Sequence, residues 1–200
     1  MGTFVGPYAG ILPWARSGDG SIVFLLGQER HEDGWDESSL WSDFGGGVER
    51  DQDANAIEAA ARECYEETMG MLGSRADIAD MLRRADDQGQ LGRLYSPRGA
   101  VIFLLEVDHD PALPVYFERA VRYAYDAANA MGDGHVFPPK GYYEKSAMAW
   151  VPADRLASLV LRDALAPEED PHVRRTLRRD FVRTTRPLFC PDIATRSQVQ

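Results

Sequence analysis

The sequence predicts one α/β or α+β domain, and three observations carry that prediction. Its longest apolar runs, 22–27 and 100–105, have the length of strands. A stretch rich in Ala and Glu and free of Gly and Pro, 54–69, reads as a strong helix. No internal repeat and no linker of domain-separating length interrupts the 200 residues, a length that buries a core without disulfides or a structural metal.

The elements follow in order. Residues 4–12 and 21–27 are β-prone runs separated by Arg16 to Gly20, a spacer tolerant of positive φ, so the pair reads as a hairpin. A charged loop at 31–39 precedes Phe44, Gly45, Gly46 and Gly47, and an acidic stretch then leads into the helix over 54–69. Residues 77–87 read as a second, polar helix, and 99–107 as a buried strand by length and β-branched content. A helix over 117–131 puts Val121, Tyr125 and Ala128 on one face, and 131–141 is a loop. A short strand at 147–151 leads into a helix over 152–165, a break at 167–171 and a final helix over 172–186. The domain spans 1–189, and 190–200 is expected to be a flexible tail.

Composition narrows the function classes. The chain is 44% hydrophobic and 27% charged, with 22 basic against 32 acidic residues and a net charge of −10. Such a balance argues against indiscriminate binding to nucleic acid or to an anionic membrane, yet admits an anionic substrate wherever a cation intervenes. No apolar run approaches the roughly 18 residues that span a bilayer. No basic segment followed by an apolar stretch opens the chain, and Gly6 stands where a myristoylation signal takes Ser or Thr. Cys64 and Cys190 form neither a disulfide framework nor a metal-ligand spacing, so a reduced, cytoplasmic location is the expectation.

The chemistry-bearing segment runs from Gly45 to Met71 around Arg62-Glu63-Cys64-Tyr65-Glu66-Glu67. On a helix, Glu63, Glu66 and Glu67 lie three and four residues apart and cluster along one edge. Like charges at that spacing oppose the helix unless a cation neutralises them, and carboxylate oxygens are what Mg2+ or Mn2+ takes. The alternative is a solvated acidic face. The flanks favour the metal: the three glycines allow close backbone approach, and Ala59 to Ala61 make a face small enough to pack tightly on a sheet.

This arrangement resembles the Nudix hydrolase signature, G-x5-E-x7-R-E-U-x-E-E-x-G-U with U aliphatic. Here Gly47 is followed by five residues, Asp53, eight residues, Arg62-Glu63-Cys64-Tyr65-Glu66-Glu67 and Thr68-Met69-Gly70-Met71. Asp53 replaces the first Glu, one extra residue precedes Arg62, Cys64 holds an aliphatic position, and Gly70 comes one place late. The first two departures put a salt bridge between Asp53 and Arg62 in question, and the late Gly70 suggests a helix running slightly past the usual cap. The resemblance continues through Ala9 to Pro13, Leu25 to Glu29 and Trp41 to Gly46 before the motif, and through Glu144-Lys145 and Ala149 to Pro152 after it, covering about residues 5–152.

The resemblance implies an α/β/α sandwich around a mixed sheet and hydrolysis of a diphosphate linked to another group. Glu63, Glu66 and Glu67 would ligate Mg2+ or Mn2+, with the Gly46 or Gly47 carbonyl adding a further oxygen and Glu49 in reserve. Arg62 is read as an organiser whose fork holds Asp53 or Glu49 and keeps the glycine loop over the helix. Glu144 is the choice for a further acidic group acting as general base, ahead of Glu106 and Asp108. Phe44, Gly46, Glu49 and Lys145 are candidate substrate contacts. Arg174, Arg175, Arg178, Arg179, Arg183 and Arg186 read either as a solvated helix face or as a contact for RNA or polyphosphate, with Val173, Leu177, Phe181 and Leu188 facing the core. Among Trp35, Trp41, Tyr95, Phe137, Tyr142 and Tyr143, one or two would suit stacking on a base, against rim packing for the rest. Substrate readings left open are a small nucleoside diphosphate derivative, a 5′-capped or triphosphorylated RNA and a diphosphoinositol polyphosphate. A rival of another class is a non-catalytic nucleotide sensor. Oligomeric state is not legible.

Overall fold

Two apolar cores lie on opposite faces of one mixed sheet, and period-two alternation along its strands feeds them both. The structure, a computed structural model, describes residues 6–131, 142, 144–165 and 175–189. In chain order the elements are β1 (Tyr8–Arg16), β2 (Ile22–Glu29), β3 (Trp41–Ser42), β4 (Phe44–Gly47), α1 (Ala56–Glu67), α2 (Arg75–Asp87), β5 (Gly92–Tyr95), β6 (Val101–Glu106), α3 (Leu113–Met131), β7 (Lys145–Pro152), α4 (Ala153–Leu165) and α5 (Arg179–Phe189). Ala9, Ile11, Leu25, Val101, Phe103 and Leu105 pack against α1, α2 and α3. Their strand neighbours Leu12, Phe24, Leu26 and Ile102 pack against α4 and α5. This is the predicted layering of helices on both faces of a sheet.

The sheet runs β3-β2-β1-β6-β5, with β4 on β1 and β7 on β2. Only β1 and β6 pair in parallel, which makes the sheet mixed. One edge of β1 is shared: Trp14 to Arg16 pair with β2, and Tyr8 to Ile11 pair with β4. The chain crosses from β2 to β1 at Asp43, between β3 and β4, so the split in the sheet lies where the glycines begin. Gly45 has a packing reason. A Cβ on Gly45 would stand 2.3 Å from the Gly10 Cα on the paired strand.

Three differences from the sequence reading have physical causes. The half-exposed edge strand β5 was not anticipated, because four residues are too few to show alternation. The final helix begins at Arg179 rather than 172: Leu177 instead forms a parallel bridge with Trp41, and Trp41 N–H donates to Thr176 O at 2.9 Å. Helix α1 stops at Glu67 instead of running on. Met69 takes a left-handed φ of 54° and Gly70 one of 73°, and Gly70 N–H closes on Tyr65 O at 2.8 Å. The late glycine is thus absorbed by a second left-handed residue. The loop over 132–141, the break at 167–171, His172, Val173, Arg174, Phe137, Tyr143, Cys190, the tail 190–200 and the side chain of Ala128 lie outside the described residues. Among those described, no helix is long and apolar enough to cross a membrane.

Candidate functional site

Helix α1 is fixed at both ends before any charged group is placed. Asn55 caps its N-terminus, accepting from Ile57 N–H at 2.9 Å and Glu58 N–H at 3.1 Å. Thr68 donates its hydroxyl to Cys64 O at 2.6 Å at the other end. Between them Ala59, Ala60 and Ala61 are wholly buried on the sheet, as their small size predicted. The Cys64 thiol is buried with them, and burial pushes its pKa far up.

On this frame Arg62 forms the predicted clamp, and it chooses Asp53. Its Nε donates to Asp53 Oδ1 at 3.1 Å and its Nη2 to Asp53 Oδ2 at 3.0 Å, a bidentate pair that survives both motif departures. Nη2 also reaches Gly47 O at 2.9 Å, and Nη1 reaches Glu63 Oε1 at 2.9 Å and Glu66 Oε2 at 3.4 Å. Asp53 Oδ2 further accepts Glu49 N–H at 2.8 Å, so the loop after Gly47 folds back over the helix. Burial works against the Asp53 carboxylate, but the Arg62 and Glu49 bonds hold it below its ordinary range. The exposed Glu49 side chain bonds Gln52 instead of Arg62.

Arg62 draws Glu63 and Glu66 together, while Glu67 is tied to Gly45 and Lys145. Glu63 lies against the glycine strand: a Cβ on Gly46 would stand 2.6 Å from its Oε2, so only glycine leaves that carboxylate its place. Burial raises Glu63 to about 7, against the pull of Arg62, and Glu66 and Glu144 push the same way. Glu66 is raised too, first by burial, with Glu49 and Glu144 adding to it. Glu67 is buried and raised well above its usual range, first by burial, although Lys145 opposes this. Its Oε2 accepts Gly45 N–H at 2.8 Å and its Oε1 lies 3.3 Å from Lys145 Nζ. The exposed Glu144 is close enough to act electrostatically on all three, so the structure brings the predicted fourth acidic group to this face.

Hard carboxylate and carbonyl oxygens are the donor set a divalent cation of the Mg2+ class takes, and the missing Cβ at Gly46 is what leaves the Glu63 carboxylate its place against the glycine strand. The donors therefore fit such an ion chemically. As they stand, Arg62 and Lys145 neutralise the carboxylates, and among the described residues no three His, Cys, Asp or Glu side chains already converge as a metal cluster.

Two candidate substrate contacts are corrected. Phe44 is fully buried in the core beneath α1, where it cannot meet a ligand. Lys145, the other, is 1% exposed. Its Nζ is held by Glu29 Oε1 at 2.5 Å, Ser42 Oγ at 3.0 Å and Glu67. A register shift opposite Gln28 and Glu29 places one extra residue, Ser146, in β7. That bulge turns Lys145 to the α1 face, which strict alternation from Met148 and Trp150 denies it. Glu106 and Asp108 are not among the strongest influences on the motif carboxylates, whereas Glu144 is.

The expected basic face over 172–186 is also corrected. Arg178 is half-buried, with Nη1 3.0 Å from Glu29 Oε1, Nε 3.3 Å from Glu37 and its guanidinium 5.5 Å from the Trp35 ring. Arg175, Arg179 and Arg186 are half-buried as well, leaving Arg183 as the exposed arginine among those described. Of the loop aromatics, Trp41 packs on the second core and Tyr142 packs edge-on to Tyr65 at 5.8 Å.

The sequence reading missed Tyr8, Glu29, Ser42 and Asp43. Glu29 had a readable signal, since it shares strand parity with the inward-facing Leu25. Asp43 had none. It is buried, accepts Tyr8 O–H at 3.0 Å and would clash with any Cβ on Gly10 at 2.1 Å. Burial raises it to about 6 despite the attraction of Lys145 and Arg178.

Beside Asp43 lies a cavity of about 390 Å3. Its walls come from the start of β1, the sheet split, the turn between β5 and β6, and α5.

No protein-family model matches the chain, and no curated protein matches it. Solved structures are similar to it at low identity. A Nudix hydrolase from Alicyclobacillus acidocaldarius is 14% identical, over 88% of this chain and 90% of that one, with a TM-score of 0.45. The Nudix hydrolase RenU from M. smegmatis is 13% identical, over 96% and 87%, with a TM-score of 0.42. The Nudix domain of Shewanella oneidensis NrtR, crystallised with ADP ribose, is 12% identical over 79% of each chain, with a TM-score of 0.39.

Proposed function

We propose that the chain is a Nudix-type pyrophosphohydrolase that uses Mg2+ or Mn2+ to cleave a nucleoside diphosphate linked to another group. The supporting observation is the Arg62 clamp, which ties Asp53 and Gly47 over α1 and gathers Glu63 and Glu66 on one guanidinium nitrogen, with Glu144 near enough to act on both. Glu63, Glu66 and Glu67 are the carboxylates for the ion, joined by the Gly46 or Gly47 carbonyl. Each carboxylate oxygen accepts twice, so the Gly45 and Lys145 contacts leave Glu67 acceptor capacity. When bound, the ion neutralises the pyrophosphate and acidifies water. Glu144, on the exposed side, accepts the proton from the attacking water. Arg62 positions Glu63 and the glycine loop without touching substrate. Lys145, backed by Glu29, holds Glu67 and the helix against β4.

Incubation with Mn2+ and a panel of nucleoside diphosphate derivatives, capped RNA and diphosphoinositol polyphosphates tests this reading. Turnover of a nucleoside diphosphate derivative is expected, falling about 10²–10⁴-fold in Glu66→Gln and in Glu67→Gln. Turnover surviving in both variants overturns the site. A second reading, a nucleotide sensor without chemistry, draws on the ion pairs that Arg62 and Lys145 make with the motif carboxylates. Nucleotide binding with no turnover across the panel selects it.

A further inference from the structure

The cavity lies on the sheet face opposite α1, among residues that pack with α4 and α5. At about 390 Å3 it has the size of a small-molecule site. Pro7, Pro97, Ala100, Ile102 and Phe181 give it apolar walls, suited to a flat ring. Its buried polar residues are Ser42, Asp43 and Thr184. The Ser42 and Thr184 hydroxyls donate within the protein, Ser42 to Glu29 and Asp43 O and Thr184 to Asp180 O. Asp43 is the carboxylate among them, with Arg178 in the same wall. At the rim Asp180 lies 3.1 Å from Arg183 and 3.9 Å from Arg98, joining α5 to the turn between β5 and β6.

The chemistry of these groups is selective. An ionised carboxylate only accepts, and Tyr8 uses one acceptor position of Asp43 Oδ2. A cationic ligand is disfavoured, because Arg178 and Lys145 already act on Asp43. What fits is a neutral planar heterocycle with two adjacent N–H donors for the carboxylate and a neighbouring acceptor for the guanidinium. Among the common nucleobases, guanine has that edge: an amino group, a ring N–H and a carbonyl in sequence. Adenine alternates donor and acceptor there, and uracil offers one donor between two acceptors.

The cavity is linked along the chain to the strand that carries the proposed active site. Asp43 directly precedes β4, whose Gly45 N–H holds Glu67, and Tyr8 pairs in register with Gly47.

We infer that this cavity binds the guanine ring of a guanine nucleotide, with Asp43 as its specificity-determining residue. The inference rests on the nucleotide reading for its biological sense, but its test uses neither metal nor phosphate.

Guanosine, inosine and adenosine are titrated against the full-length chain in EDTA, with binding read by calorimetry. Guanosine is expected to bind at least about tenfold more tightly than inosine, which lacks the amino group, and than adenosine. Asp43→Asn is expected to bring the three within about twofold of one another. Ala100→Phe, which fills the cavity while leaving Asp43 in place, is expected to abolish binding of all three. Equal binding of guanosine and adenosine by the wild type overturns the inference. So does a guanosine preference that persists in Asp43→Asn, or undiminished binding in Ala100→Phe. A chain that hydrolyses nothing but prefers guanosine retains the inference and loses the hydrolase. One that hydrolyses nucleotides without preferring guanosine does the reverse.

Discussion

Arg62 and Lys145 are both buried cations beside motif carboxylates, yet only one was readable in sequence. Arg62 lies on a helix, where spacing fixes direction, so its reach to the loop followed from its place in the motif. The choice of Asp53 over Glu49 needed the loop's path, because Glu49 turns its backbone N–H inward and its side chain out. Lys145 lies on a strand, where a single bulge reverses every side chain, and nothing in its neighbours announces one. Asp43 was equally silent, and it carries a prediction. Its pKa is raised from 3.8 to about 6, so the folded state holds the proton more tightly than the unfolded chain. The stability this contributes is complete below about pH 4 and is lost as pH rises through about 6. Asp43→Asn is therefore expected to match the wild type in thermal melts near pH 4. Near pH 7.5 it should melt about 2–6 °C higher. A variant that melts lower than the wild type at neutral pH would refute the sign.

At the scale of elements, α1 was the most legible part of the chain, because its Ala-rich face and its acidic edge obey one period. Its ends were less so. The predicted start at 54 slips to Ala56 because Asn55 takes the capping position, and the end retreats to Glu67 because Met69 accepts a left-handed φ. Asn55→Ala removes the side-chain acceptor for two N–H groups and is expected to destabilise the protein by about 0.5–2 kcal/mol. Urea unfolding monitored by circular dichroism measures this. An unchanged midpoint would mean that packing of Ala59, Ala60 and Ala61 alone fixes the start of the helix. The last helix was misplaced for an instructive reason. Leu177 and Phe181 are four residues apart and both buried, which mimics helical spacing. Leu177 instead reaches the core from an edge bridge to β3, and only Phe181 reaches it from a helix.

Across the whole molecule, the C-terminal segment is held to the sheet by a few polar ties. The buried Asp163 on α4 accepts Thr176 N–H at 2.8 Å and Leu177 N–H at 2.9 Å, while Arg178 bonds Glu29 and Glu37. Asp163→Ala leaves both N–H groups without their acceptor and is expected to cost about 1–3 kcal/mol. Hydrogen exchange should then rise at Leu177 and Arg178 while the strands β1 and β6 stay protected. Uniform loss of protection would show that the segment does not open separately. The net charge of −10 takes on structure at this scale. Negative groups gather around α1 with Arg62 and Lys145 buried among them, while much of the C-terminal positive charge is turned inward.

The sequence by itself determined the layered α/β architecture, the helix that carries Glu63, Glu66 and Glu67, and the clamp role of Arg62. The helix follows from a spacing within one element, where backbone geometry sets side-chain direction; the layering and the clamp followed from the resemblance that the motif and its flanks carry. Tertiary structure alone decided the rest. It put Lys145 behind Glu67, Arg178 on Glu29, Asp43 at the split between β1 and β2, and a cavity beside it. Those contacts join residues as much as 149 positions apart, such as Arg178 and Glu29. They depend on a bulge, a strand crossing and an edge bridge, which no local pattern encodes.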